Sequence, residues 1–148
     1  MHPFPHRYLV SSTAVPDGDI MLESEGLPEL ATVTPPEFDG PGGKWSPETL
    51  LVASVADCFV LTFRGIAKAS KMPWSRVSVS CVGTLERPDR VTQFTRFDLR
   101  ATLVLPPDVS EEQARRILTR AEETCLVTRS LKAETHLAIE IEREPATV

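Results

Sequence analysis

The sequence predicts an α+β fold in one domain spanning residues 1–148, with strands first, then a central buried helix, a long β-hairpin, a second helix and a C-terminal strand. Three observations carry this reading. Alternating, strand-like segments fall in blocks instead of interleaving one by one with helices, which disfavours a doubly wound parallel sheet. A single strong helix start opens a run that is apolar on nearly every side. A chain of 148 residues is also long enough to bury one sizeable core without disulfide staples.

The elements follow in order. Tyr8-Leu9-Val10 opens a strand that runs towards the turn Pro16-Asp17-Gly18, where proline presets φ and glycine accepts positive φ. Ile20-Met21-Leu22 makes a second short strand, Glu25-Gly26-Leu27-Pro28 turns the chain, and residues 30–34 make a third. Residues 35–43 hold three prolines and three glycines and read as a loop. Ser46 then caps a helix with Pro47 at its first position and Glu48 beside the positive end of the dipole. This helix runs to about Ser70, ahead of Pro73. Its apolar residues encircle it, so the pattern predicts burial on all sides. One sheet and one amphipathic helix hardly enclose it, and a partner chain is expected to supply the missing cover.

Residues 76–87 alternate, with Val77, Val79, Cys81 and Leu85 on one face. After Pro88-Asp89, residues 91–105 return as the second arm of an antiparallel hairpin that ends at Pro106-Pro107. Ser110 caps a second helix carrying Ala114, Ile117, Leu118 and Ala121 inward. Cys125 falls at its end, residues 126–131 form a short turn, and residues 135–143 close the chain as a strand.

Composition narrows the function. A net charge of −5 with scattered basic residues disfavours a nucleic-acid surface. The N-terminal residues lack the pattern of a signal peptide. The most apolar run, from Leu50 to Phe63, is interrupted by Ser54, Asp57 and Thr62, and is shorter than the roughly 20 residues of a membrane span. An odd count of three cysteines without an export signal points to a reducing compartment, the cytoplasm. His2, His6 and His136 show no metal spacing with the cysteines. No phosphate-loop pattern follows Gly40 to Gly43.

The constellation that bears chemistry is the Gly-rich loop Gly40-Pro41-Gly42-Gly43-Lys44-Trp45, the Pro47-Glu48 helix start, Cys58 ten residues after that Glu, and Cys125 before Ser130-Leu131. In these stretches, and in its element order, the chain resembles the OsmC/Ohr family. The resemblance implies an intertwined homodimer that reduces organic hydroperoxides with thiols. Cys58 would be the thiol that attacks peroxide, and Cys125 the thiol that resolves the sulfenic acid to a disulfide. An external dithiol would reduce that bridge, with no metal or organic cofactor. Glu48 would help hold an arginine over the reactive thiol.

Each residue also has a plainer role. A lone cysteine on an apolar helix, as Cys58 is, is usually a small buried hydrophobe; Cys81 has that plain role at a core-facing position of an alternating strand, and Glu48 suits a helix start in any case. Ten helical residues rise about 15 Å, beyond the reach of Glu48 to Cys58 on one helix, so Glu48 is expected to serve the partner's site. Two departures from the family pattern stand out. No arginine occurs among residues 11–17, where the family supplies one, and Asp57 precedes Cys58, where a carboxylate opposes thiolate formation. Arg7 and Arg129 do not match the motif. These departures leave a second reading open: an OsmC-like stress or small-molecule-binding protein without peroxidase activity.

Overall fold

A computed structural model describes residues 1–146. The chain forms two compact units, one ending at Leu51 and the other beginning at Val52.

The first unit holds a three-stranded antiparallel sheet of β1 (Ser11–Thr13), β2 (Ile20–Glu23) and β3 (Leu30–Thr32), in that order. β1 starts later than the sequence predicts. Its partner strand turns away after Glu23, and Gly26 takes φ 74° in that turn. Leu9 therefore has no ladder position, and its carbonyl instead accepts a bond from the Ser24 hydroxyl at 2.9 Å. The loop after β3 folds back so that the Val33 N–H bonds to the Trp45 carbonyl at 2.9 Å. Gly40 makes this fold possible, because a Cβ there would lie 1.9 Å from the Thr34 carbonyl oxygen.

The loop delivers Ser46 to the start of α1 (Pro47–Ala69). The Thr49 N–H donates to Ser46 Oγ at 3.2 Å, while the Ser46 N–H donates to Thr49 Oγ1 at 2.9 Å. This is a reciprocal capping box with threonine in the place usually held by Glu or Gln. Ser46 is buried at 2% exposure, and Ser46→Ala takes away the acceptor of the Thr49 N–H. The expected cost is about 1–2 kcal/mol, to be read as a lower urea midpoint at unchanged slope.

The second unit holds β4 (Arg76–Glu86), β5 (Gln93–Leu105) and β6 (Glu134–Arg143) in one sheet. β4 and β5 form the long hairpin, paired antiparallel from Arg76 with Val104 to Glu86 with Gln93. β6 pairs parallel with β5, which requires a crossover, and α2 (Glu111–Thr124) supplies it. The molecule thus has two sheets where the sequence reading counted one. Ser110 caps α2 by accepting from the Gln113 N–H at 3.2 Å. One face of β5 is core, with Phe97, Leu99, Ala101, Leu103 and Leu105 buried, and α2 buries Ala114, Ile117, Leu118 and Ala121. α1 approaches β4 at Gly83, where a Cβ would come within 2.6 Å of a Val52 methyl.

One chain buries α1 along a single face and leaves the cover expected from a partner chain open. Within one chain only Val55, Phe59, Phe63 and Ala67 are buried, a single stripe at four-residue spacing, while Leu61 is 55% exposed. At 23 residues the helix is also longer than the apolar run read from the sequence, and by length and composition alone it reaches the size of a membrane span.

Candidate active site

Cys58 sits mid-way along α1 beside the buried Phe59, which leaves its thiol half-buried. Cys125 sits where α2 ends. Its extended backbone, φ −60° and ψ 115°, stops α2 and starts the short helix α3 (Leu126–Arg129). The Cys125 carbonyl accepts from the Arg129 N–H and from Thr128 Oγ1, both at 3.1 Å. This pinned corner turns the side chain inward, leaving Cys125 at 1% exposure.

The two thiols meet. Cys58 and Cys125 are neighbours in space, near enough for one thiol to perturb the other, although 67 positions separate them in the chain. Burial pushes the Cys125 thiol above its ordinary value against the opposing bonds from Thr128, and the adjoining Cys58 sulfur raises it further. Cys125 therefore stays protonated near neutral pH and offers an S–H to its neighbour.

Cys81 takes no part. It faces the core from β4 opposite Leu99, and burial, helped by the Asp98 carboxylate, pushes its thiol up to about 11. Asp57, adjacent to Cys58, is exposed to solvent, which dilutes its charge. Arg129 is exposed on α3, and Arg7 lies in the exposed N-terminal stretch of the first unit. Among the described residues, no group of three or more His, Cys, Asp or Glu side chains is arranged to hold a metal.

Glu48 belongs to the first unit. One carboxylate oxygen, Oε2, is fully buried and has no hydrogen-bond partner. The residue lines a recess of about 310 Å³ with Val33, Pro35 and Phe38 among its walls. α1 is continuous from Pro47 to Ala69, so the rise of about 15 Å between the Glu48 and Cys58 positions stands.

Sequence reasoning passed over Thr62, one turn after Cys58. Its hydroxyl donates to the Cys58 carbonyl at 2.7 Å and lies 3.9 Å from Cys58 Sγ. The signal was present as the i, i+4 spacing of a hydroxyl and a thiol on one helix face.

Residues 40–140 match the family model described as OsmC-like protein. The chain belongs to the OsmC-like family. One relative is the uncharacterised protein YmaD of Bacillus subtilis, 22% identical over 138 residues, which cover 91% of this chain and 92% of YmaD. An OsmC-like protein of unknown function from Vibrio cholerae has the same fold, with a TM-score of 0.81 at 18% identity over 91% of this chain and 99% of its own. The organic hydroperoxide resistance protein OsmC of Legionella pneumophila superposes with a TM-score of 0.74 at 20% identity, over 95% and 99% of the two chains. At these identities the likeness is one of fold.

Proposed function

We propose that this OsmC-like protein reduces organic hydroperoxides by a two-cysteine cycle. The meeting of a half-buried Cys58 with a buried, protonated Cys125 is the observation that carries the reading. The Cys58 thiolate attacks one peroxide oxygen, an S–O bond forms, the O–O bond breaks, and the departing alkoxide takes a proton to leave as alcohol. Cys58 is then a sulfenic acid. The Cys125 sulfur attacks it, an S–S bond forms, and the hydroxyl leaves as water. An external dithiol reduces the bridge by exchange and is itself oxidised to a disulfide. The cycle asks for no metal or organic cofactor.

Of the two neighbouring thiols, Cys58 takes the first step because solvent reaches it, and Cys125 the second because it is covered and close. The fold shared with a protein of hydroperoxide resistance supports the substrate class. The working form is a homodimer in the cytoplasm. The open apolar surface of α1, together with Tyr8, Leu9 and Val10 at 89%, 80% and 61% exposure, supplies what a second copy covers. Glu48 then contributes its buried carboxylate to the site of the partner.

The lack of arginine among residues 11–17 favours the second reading, an OsmC-like fold kept for binding apolar small molecules. Peroxide consumption decides between them. With dithiothreitol as the dithiol, the protein is expected to consume cumene hydroperoxide catalytically and in preference to hydrogen peroxide, because Cys58 lies on an apolar helix whose surface is open at Leu61. Consumption no faster than dithiothreitol alone eliminates the peroxidase.

A further inference from the structure

A thiolate in the middle of a helix gains nothing from the helix N-terminus and needs a donor or a cation from elsewhere. The family position for that cation is vacant among residues 11–17. The Thr62 hydroxyl, from the next turn of α1, lies at the Cys58 sulfur, and the Cys125 thiol, from the end of α2, is a neighbour. Asp57 is exposed and carries the opposite of the charge required.

We propose that Thr62 is the donor that holds the Cys58 sulfur ready to react, its hydroxyl proton turning from the Cys58 carbonyl to the sulfur when that sulfur loses its proton. A hydroxyl has one proton to give and two lone pairs to accept with. In the reduced protein Thr62 gives that proton to the Cys58 carbonyl at 2.7 Å, and its oxygen faces the sulfur at 3.9 Å, where it can accept the S–H. Once the S–H proton has gone to solvent, the sulfur becomes a charged acceptor. A bond to a charged acceptor is about twice as strong as one to a neutral carbonyl, so the hydroxyl proton turns to it. The carbonyl keeps the helical N–H that follows it, so releasing the threonine proton leaves no backbone group unpaired. Cys125 offers a second donor, its S–H, to the same sulfur, and the pair together perform the task of the absent arginine.

This inference rests on Cys58 being the reactive sulfur, and its test is independent of peroxide. Full-length reduced protein is alkylated with iodoacetamide across a pH series, and the modified Cys58 peptide is followed by mass. Thr62→Val, which keeps the shape and removes the hydroxyl, is expected to raise the midpoint of Cys58 alkylation by about one pH unit. Alkylation at pH 7 then slows about threefold, since a more basic thiolate is also the better nucleophile. Thr62→Ser restores the wild-type profile. A merely structural role would change helix content by circular dichroism and leave the midpoint in place. Should Thr62→Val misfold, Thr62→Ala carries the same expectation. Coincident midpoints in wild type and the folded hydroxyl-free variant overturn the proposal. A shifted midpoint in a protein that consumes no peroxide upholds it while sinking the peroxidase. Turnover without a shift does the reverse.

Discussion

Cys58→Ser is expected to bring the turnover of cumene hydroperoxide down to the uncatalysed background. A serine hydroxyl at this position has neither the acidity nor the soft, polarisable sulfur that attacks an O–O bond. Nothing else in the site substitutes for it. Cys125 is buried and protonated, and Cys81 is core-facing with its thiol pushed to about 11. Cys125→Ser is expected to behave differently: the first oxidation proceeds, then the cycle stops. The Cys58 sulfenic acid accumulates, is trapped by dimedone, and with excess peroxide advances to the sulfinic acid. Cys81→Ser leaves turnover as it was. Peroxide consumption, measured with a dithiol present and paired with intact mass, separates the three variants. Equal turnover in wild type and Cys58→Ser would remove Cys58 from the chemistry.

Phe63→Ala is expected to cost about 3–5 kcal/mol of stability. Phe63 has 0% exposure, belongs to the only stripe of α1 that one chain buries, and stands edge-on to Trp74 with ring centroids 5.2 Å apart. Its truncation removes the apolar transfer free energy, leaves a cavity in a close-packed interior, and loses the aromatic pair. Urea unfolding reads the loss as a lower midpoint at unchanged slope. A loss under about 1 kcal/mol would mean that the stripe is not the core contact, since even Ile→Val in a core costs about that much.

The elements that the sequence made legible are those whose signals are local. Ser46-Pro47-Glu48 marked the start of α1 to the residue, Ser110 did the same for α2, and the alternation through Val77, Val79 and Cys81 marked a strand whose core face is the one expected. Non-local facts were not legible. The parallel pairing of β6 with β5, and the split into two sheets, depend on strand partners far apart in the chain. Tyr8 to Val10 carries strand chemistry, but β2 turns away before pairing with it.

The site divides in the same way. Cys58 and Cys125 were singled out through a resemblance, and no local signal states that the end of α2 lands on the middle of α1. Thr62 was visible but was read as an interruption in an apolar run, because a hydropathy pattern weighs a hydroxyl as a blemish and ignores what it faces. Glu48 was chosen for its place beside proline at a helix start. Its buried, unpartnered oxygen is a tertiary fact, produced by the Pro35 to Phe38 loop folding over it.

The account turns on two sulfurs, far apart in sequence, joining when peroxide arrives. One equivalent of cumene hydroperoxide added to the reduced protein, followed by alkylation, digestion and mass analysis without reductant, reads this directly. A peptide pair linked through positions 58 and 125, with Cys81 alkylated, is the predicted product. An alkyl label on all three cysteines, or a bridge that includes Cys81, contradicts the account.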